Sequence, residues 1–191
     1  MKAAISFLTA FLFLLSAGSA IAQKQPPAMS PDYFPERWEE FTYQDDLFKI
    51  HFPKTPHVAS IPGKKGETTR IYKHRSFVAF EIRVTTFPAT LEGKIPVEAL
   101  FEEMKKLGLE GIKNYNPKII AETDITQDGK AGRFIHAETS DGAVLRMKFF
   151  LSGARIFYLF AETEKGAKHG INWENDFEKV AMGFLDSFKL L

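Results

Sequence analysis

The sequence predicts an α+β fold in which an antiparallel β-sheet is flanked by helices. Alternating apolar and polar residues recur between residues 38 and 163, as they do in half-buried strands. Pairs that contain glycine separate the last four of these stretches, and such pairs favour two-residue hairpins. Two other stretches, residues 97–107 and 173–187, place apolar side chains at helical spacing. One face of each predicted helix is therefore expected to pack on the sheet.

The first residues have the composition of a targeting segment. Lys2 precedes an apolar run over residues 3–15, and Ala20-Ile21-Ala22 fits a small-x-small cleavage pattern. The run is shorter than the ~20 residues that span a bilayer. We therefore predict a signal peptide over residues 1–22, no membrane anchor after cleavage, and export to a periplasm or to the extracellular medium. Residues 23–37 are rich in proline and polar residues and predict a linker or arm, followed by one domain over residues 38–191.

The first half of this domain predicts two hairpins and a helix. The predicted strands cover residues 38–44, 47–52, 67–75 and 77–87. Residues 58–66 are predicted to form a loop, and its Gly-Lys-Lys-Gly run lacks the spacing of a phosphate-binding loop. In the last of these strands, Phe80 and Ile82 belong to an apolar face, whereas Glu81 and Arg83 point away from it. Pro96 suits the first turn of the helix that starts at Val97, and Gly108 or Gly111 is expected to end this helix.

Four consecutive strands make up the second half of the sheet. They cover residues 117–127, 130–139, 143–151 and 154–163. The predicted two-residue turns between them are Asp128-Gly129, Asp141-Gly142 and Ser152-Gly153. This register places Phe149 opposite Ile156, and it puts Phe134 and His136 on the same apolar face as Phe149. We take that face as the core face, with His136 as a neutral core histidine.

The opposite face of the predicted sheet is mixed, and it is the candidate binding surface. Asp124 lies across from Arg133, a pair of opposite charges. The candidate residues on this face are Arg133, Arg146, Lys148 and Phe157, with Ile135 and Leu159 beside them. Three alternatives stay open. A helix covers the apolar part with the charges at its margin, a protein partner docks there, or the face lines a pocket for an acidic or amphipathic ligand.

Short motifs at the start, middle and end of the domain carry a family pattern. They are Trp38-x-x-Phe41, Phe48-x-Ile50-x-Phe52-Pro53, Gly132-Arg133, Arg155-x-Phe157-Tyr158 and Phe184-Leu185-Asp186-Ser187-Phe188. In these motifs, and in the order of its predicted elements, the chain resembles exported bacterial domains of the PsbP/Mog1-like fold family. The resemblance implies an α/β/α sandwich. It also implies a role in binding and assembly, which is the theme that relatives of this fold share.

The residue types that serve catalysis and metal binding form no recognisable constellation. The five histidines lack ligand spacing and the chain has no cysteine, so neither a zinc site nor a thiolate nucleophile is predicted. Ser140, Ser152 and Ser187 occupy expected turn or cap positions and lie in no nucleophile elbow. We therefore predict no cofactor and no enzymatic activity.

The charge balance narrows the class of partner. The chain has 25 basic and 24 acidic residues, which gives no support for binding to nucleic acid or to a membrane surface. The leading hypothesis is an exported binding or assembly module with an envelope protein as its partner. The alternative is a periplasmic carrier or sensor of a small apolar or acidic ligand.

Overall fold

The computed structural model describes residues 34–63, 66–94, 96–110, 112–163 and 173–191. The predicted signal peptide and most of the predicted arm lie outside these residues. The described part contains ten strands and two α-helices, which confirms the α+β class. Neither of these two helices combines the length and the apolar character that a membrane-spanning segment needs.

The strands and helices are named in chain order. The strands are β1 (Glu39–Tyr43), β2 (Phe48–Phe52), β3 (His57–Pro62), β4 (Thr68–Arg75), β5 (Val78–Thr86), β6 (Lys118–Gln127), β7 (Lys130–Glu138), β8 (Val144–Ser152), β9 (Arg155–Thr163) and β10 (Lys189–Leu190). The helices are α1 (Val97–Glu110) and α2 (Trp173–Ser187).

Seven strands form one antiparallel sheet in the order β3-β4-β5-β9-β8-β7-β6, and a small sheet has the order β1-β2-β10. The prediction of a loop over residues 58–66 is wrong, because β3 pairs with β4 from His57↔Lys73 to Pro62↔Thr68. Five of the six residues of β3 are exposed and its other residue is half-buried, so the sequence lacks the alternation that indicates a half-buried strand.

One face of the large sheet is covered over its central strands, and we call it the closed face. It is formed by Tyr72, Ile82, Phe150, Phe157 and their neighbours on the same side of the strands. The helix α2 and the small sheet pack on it with a second set of buried apolar residues. These residues are Phe48, Ile50, Phe52, Phe177, Val180, Ala181, Phe184, Leu185 and Phe188.

The other face is covered over part of its width, and we call it the open face. Its buried part contains Leu145, Met147, Phe149 and Tyr158, and Phe101 of α1 packs on it. Further towards β3, side chains on the same face reach solvent. Arg83 of β5 has a side chain that is 50% exposed, and Ile61 of β3 is 52% exposed.

The predicted pairing of β8 with β9 is wrong by two residues. Phe149 lies opposite Tyr158 and Ser152 lies opposite Arg155, so Gly153 and Ala154 form the turn. A shift of two residues leaves every side chain on its predicted face, because side chains alternate with a period of two.

The predicted pairing of β7 with β8 is wrong by one residue. Five residues, 139–143, connect the two strands, since Glu138 lies opposite Val144. A one-residue slip moves every side chain of a strand to the other face. Phe134 and His136 therefore lie on the closed face, and Arg133 lies on the open face with Phe149. The Asp128-Gly129 turn and the opposition of Asp124 and Arg133 are confirmed.

Candidate binding groove on the open face

The structure divides the candidate binding residues between the two faces of the sheet. Arg146, Lys148 and Phe157 lie on the closed face, whereas Arg133 lies on the open face. Arg133, Arg146 and Lys148 are 7%, 8% and 7% exposed, and Phe157 is 1% exposed. The mixed face expected from the sequence is therefore not one surface.

The two cations of the closed face bind α2 to the sheet. The Arg146 guanidinium donates from Nε and Nη2 to Glu178 Oε2 at 2.9 and 2.6 Å, and it lies 5.6 Å from the centroid of the Phe177 ring. Lys148 Nζ donates to Asp186 Oδ1. This is the first of the three alternatives, in which a helix covers the apolar part and the charges lie at its margin.

Arg133 joins α1 to the edge of the open face. Its guanidinium donates to Glu98 at 2.7 Å, to Glu102 at 2.8 Å and to Asp124 at 3.1 Å. Glu122 Oε1 lies 3.2 Å away. Burial lowers the pKa of Arg133, but the hydrogen bonds with Glu98 and Asp124 outweigh it and raise the pKa above its ordinary value. The sequence predicted one of these four contacts, the one between Arg133 and Asp124.

A groove lies beside α1 where the open face loses its cover. Its volume is about 390 Å³. Strands β4, β5 and β9 form its floor and the end of α1 forms its wall. The lining residues are Thr69, Glu81, Arg83, Thr85, Met104, Leu107, Gly108, Ile112, Ile156, Tyr158, Phe160 and Glu162. None of the four residues that the sequence singled out is among them.

Close contact between α1 and the sheet shapes the wall of the groove. At Gly108, an added Cβ would lie 2.8 Å from the Tyr158 hydroxyl oxygen and 2.9 Å from Met147 Sδ, so glycine allows the helix to approach. The Tyr158 hydroxyl donates to Met147 Sδ at 3.3 Å. Leu107 is the neighbour of this contact and is 50% exposed. The groove therefore has a closely packed inner wall and an apolar side chain at its mouth.

The floor of the groove is aromatic and its margin is polar. The rings of Tyr158 and Phe160 stack with centroids 6.1 Å apart. The Arg83 guanidinium lies 5.9 Å from the centroid of the Tyr158 ring, and its Nε donates to Glu81 Oε1. The hydroxyls of Thr69 and Thr85 are 2.8 Å apart. The charged pair Glu81–Arg83 is thus satisfied before any ligand arrives.

Glu162 is the lining residue whose charge is least compensated. Burial raises the pKa of this carboxyl, Arg75 opposes the shift, and Asp141 and Glu81 add to it. Among the residues that the structure describes, none forms a hydrogen bond or an ion pair with Glu162. The lining has two carboxylates and one guanidinium, so it suits an apolar group with a neutral or positively charged neighbour.

The described residues contain no cluster of His, Asp or Glu with the geometry of a metal site. The groove offers aromatic and aliphatic surface, three hydroxyls, the paired charges of Glu81 and Arg83, and the carboxyl of Glu162. Sequence reasoning placed Glu81 and Arg83 on the side of β5 away from the apolar face. It did not find the groove, because a groove depends on how far α1 extends over the sheet.

No family model matches the chain, and no curated protein matches it either. Among solved structures, it is similar to cyanobacterial PsbP from Synechocystis sp. PCC 6803, with a TM-score of 0.55 and 9% identity. That alignment covers 81% of this chain and 92% of the cyanobacterial chain.

Two weaker matches are a protein of unknown function from Pseudomonas aeruginosa and a protein from Bacteroides thetaiotaomicron. Their identities are 13% and 10%, and both TM-scores are 0.32. The alignments cover 66% and 80% of this chain, and 82% and 48% of the other chains. TM-scores this low do not establish a shared fold. The fold assignment therefore rests on the cyanobacterial structure and on the order of the elements. On that basis, the chain has a PsbP-like fold.

Proposed function

We propose that the chain is an exported, non-catalytic binding or assembly module of the cell envelope, and that its groove holds an apolar segment of a partner protein. The signal-peptide pattern of residues 1–22 supports export. In this proposal the domain is an α/β/α sandwich whose closed face gives stability and whose open face gives binding.

The observation that carries the proposal is the groove of about 390 Å³ with an aromatic floor. Leu107 lies at the mouth of the groove and is 50% exposed, so this leucine contributes little to the core. Phe160 lies in the floor and is partly buried, so it also reaches solvent. An apolar segment that contacts Leu107 and Phe160 removes their exposed surface from water, which stabilises a complex by roughly 25 cal/mol per Å² of buried apolar area before the costs of association.

The volume of the groove favours a second candidate, a carrier or sensor of a small ligand. Ligand pockets have volumes of about 300–1,000 Å³, and they combine apolar walls with a few polar groups. The groove of about 390 Å³ meets both conditions. Its lining favours an apolar or positively charged ligand over an acidic one, because Arg83 is already paired with Glu81 and Glu162 repels anions.

The test is native mass spectrometry of the protein recovered gently from its own cell envelope, as wild type and as two variants. Leu107→Glu places a charge at the mouth of the groove. Ile120→Glu is the control, because Ile120 is 46% exposed but lies on the far edge strand β6. We expect a heavier complex for the wild type and for Ile120→Glu, and its loss for Leu107→Glu.

The added mass separates the two candidates. A second polypeptide supports the binding module, and an addition of a few hundred daltons supports the carrier. A complex that survives Leu107→Glu unchanged would contradict the placement of the site in the groove. Turnover of a substrate that disappears in Glu162→Gln, with the melting temperature retained, would contradict a non-catalytic role.

A further inference from the structure

The two edge strands of the large sheet differ in how they are protected against pairing with another strand. At one edge, β6 is interrupted by a bulge between Ile119 and Ala121 and carries Lys118, Glu122 and Asp124. A bulge and charged side chains are the devices by which proteins prevent edge-to-edge association. The β6 edge is therefore closed to a further strand.

The opposite edge, β3, has neither device. Its six residues contain no Lys, Arg, Asp or Glu, and its pairing with β4 is regular from end to end. Val58 is 50% exposed and Ile61 is 52% exposed. Pro62, the last residue of β3, has no backbone N–H to donate, so residues 57–61 are the ones able to pair with a further strand. In the described part of the chain, no other segment bonds to the outer side of β3.

We propose that β3 pairs in antiparallel fashion with β3 of a second copy of this chain. A two-fold axis perpendicular to the sheet keeps the two open faces on the same side. Because side chains alternate along a strand, such an axis passes between identical residues of the two copies. A register centred on Ala59 uses residues 57–61 and excludes the proline.

This register covers the exposed apolar residues of both copies at once. Ile61 lies opposite His57 of the second copy on the open face, and Val58 lies opposite Ser60 of the second copy on the closed face. No like charges oppose each other, because β3 contains no Lys, Arg, Asp or Glu. A second copy is favoured over a foreign strand because it brings the same uncharged edge and the same two exposed apolar side chains.

The pairing is independent of the proposed function. The groove is lined by β4, β5, β9, α1 and Ile112 and contains no residue of β3, so it stays accessible in the pair. An interface of five residues per strand is small beside the ~1,600 Å² of a standard interface. We therefore expect a dimer that forms in the micromolar range and dissociates on dilution.

The first measurement is the mass of the purified protein by analytical ultracentrifugation over a range of concentrations. We expect the mass to rise towards that of two chains. Ser60→Lys adds a charge of the kind that protects natural edges, and it should reduce the mass to that of one chain at the same concentration. Ser60 is exposed, so folding should be retained, and the melting temperature checks this.

Cross-linking tests the register, since the chain has no cysteine of its own. Under mild oxidation, Ala59→Cys should form a disulfide-linked dimer at least tenfold faster than Ile120→Cys on the opposite edge. Ser60→Cys should be slower than Ala59→Cys, because Ser60 lies opposite Val58 of the second copy. Three results would overturn the proposal: a single-chain mass for the wild type up to about 100 μM, a dimer unaffected by Ser60→Lys, or equal cross-linking at Ala59 and Ile120.

Discussion

The closed face and the open face belong to the same seven strands but differ in cover. The closed face lies under α2 and a second sheet, and the ring of Phe188 has its centroid 5.6 Å from that of Phe48, 5.8 Å from Phe150 and 5.4 Å from Phe157. The open face lies under α1 alone among the described helices. Its apolar residues continue past the helix, where Ile61 reaches solvent, and Leu107 at the margin of α1 is half exposed.

The difference shows that the width of the cover, and not the number of apolar residues, decides where a surface is left for binding. A helix about 10 Å wide covers two or three strands spaced about 4.8 Å apart. Seven strands therefore need more than one helix on each side. The small sheet supplies this cover on the closed face, and the groove begins where the open face lacks it.

The largest expected effect concerns stability and contrasts the two faces directly. Phe188→Ala should lower the free energy of unfolding by about 4 kcal/mol, because a fully buried aromatic ring leaves a cavity among three other rings. Leu107→Ala should lower it by less than about 1 kcal/mol, since half of that side chain already contacts water. Urea denaturation followed by circular dichroism measures both values.

Phe188→Leu serves as the matched control for this comparison. It keeps most of the buried volume, so its loss should be well below that of Phe188→Ala. Similar losses for Phe188→Ala and Leu107→Ala would mean that the open face is as tightly packed as the closed face, and the comparison of the two faces would be wrong.

The next effect concerns the buried guanidinium on each face. Arg133→Met should lower the free energy of unfolding by about 2 kcal/mol, because it removes the cation that four carboxylates share and leaves Lys105 to contact only two of them. Arg146→Met should cost about 1 kcal/mol, because it leaves the single carboxylate of Glu178, whose side chain is 47% exposed. Midpoints of urea denaturation give the two values.

Salt separates repulsion from lost packing in this pair of variants. The Debye length shortens to about 3 Å at 1 M salt, so repulsion among exposed carboxylates is largely screened. The loss in Arg133→Met should therefore shrink at high salt, while the loss in Arg146→Met should change little. An equal response of the two variants to salt would show that the cluster around Arg133 stabilises by packing alone.

Much of the fold could be predicted from the sequence, because amphipathic patterns are local. The bounds of α2 and the Asp128-Gly129 hairpin follow from residues that are neighbours in the chain. β3 could not be predicted in this way. It is held by its ladder with β4, and an edge strand that is exposed on both sides has no alternating pattern.

The candidate site shows why registers are harder to predict than strands. Asp141-Gly142 has the composition of a two-residue turn, but Thr139 extends the connection to five residues. The backbone N–H of Ala143 donates to the Thr139 hydroxyl oxygen at 2.9 Å, and Gly142 N–H donates to the Thr139 carbonyl at 3.0 Å. This one extra-long turn moved Arg133 away from Arg146 and Lys148, and so divided the predicted surface.

The groove depends on contacts that no local pattern contains. Gly108 interrupts the apolar spacing of α1. The sequence offered Gly108 or Gly111 as the end of this helix, and the helix ends at Glu110, next to Gly111. The role of Gly108 is to admit the Tyr158 hydroxyl and Met147 Sδ, from strands 50 and 39 residues further along the chain respectively. Only the folded structure shows that Leu107, next to Gly108, lies at the mouth of the groove.

The smallest expected effect concerns pH, and its sign differs between the two faces. On the closed face, burial and then Lys54 lower the pKa of His74, and burial and then Arg146 lower the pKa of His136. The folded protein thus binds fewer protons than the unfolded chain just below the ordinary histidine pKa of 6.5. Stability should be lost as the pH falls through this value, and His74→Gln combined with His136→Gln should flatten that loss.

On the open face, the raised pKa of Glu162 acts in the opposite direction. The folded protein retains a proton that the unfolded chain has released, so stability should be lost as the pH rises from the ordinary glutamate pKa of 4.5 through the higher folded value. Glu162→Gln should remove this loss and leave the histidine-dependent part unchanged. Urea midpoints from about pH 4 to about pH 8 measure both slopes.

If Glu162→Gln left the acid limb unchanged, its carboxyl would be solvated or already neutralised. The groove would then have no charge preference, and the argument for an apolar or cationic ligand over an acidic one would lose its basis.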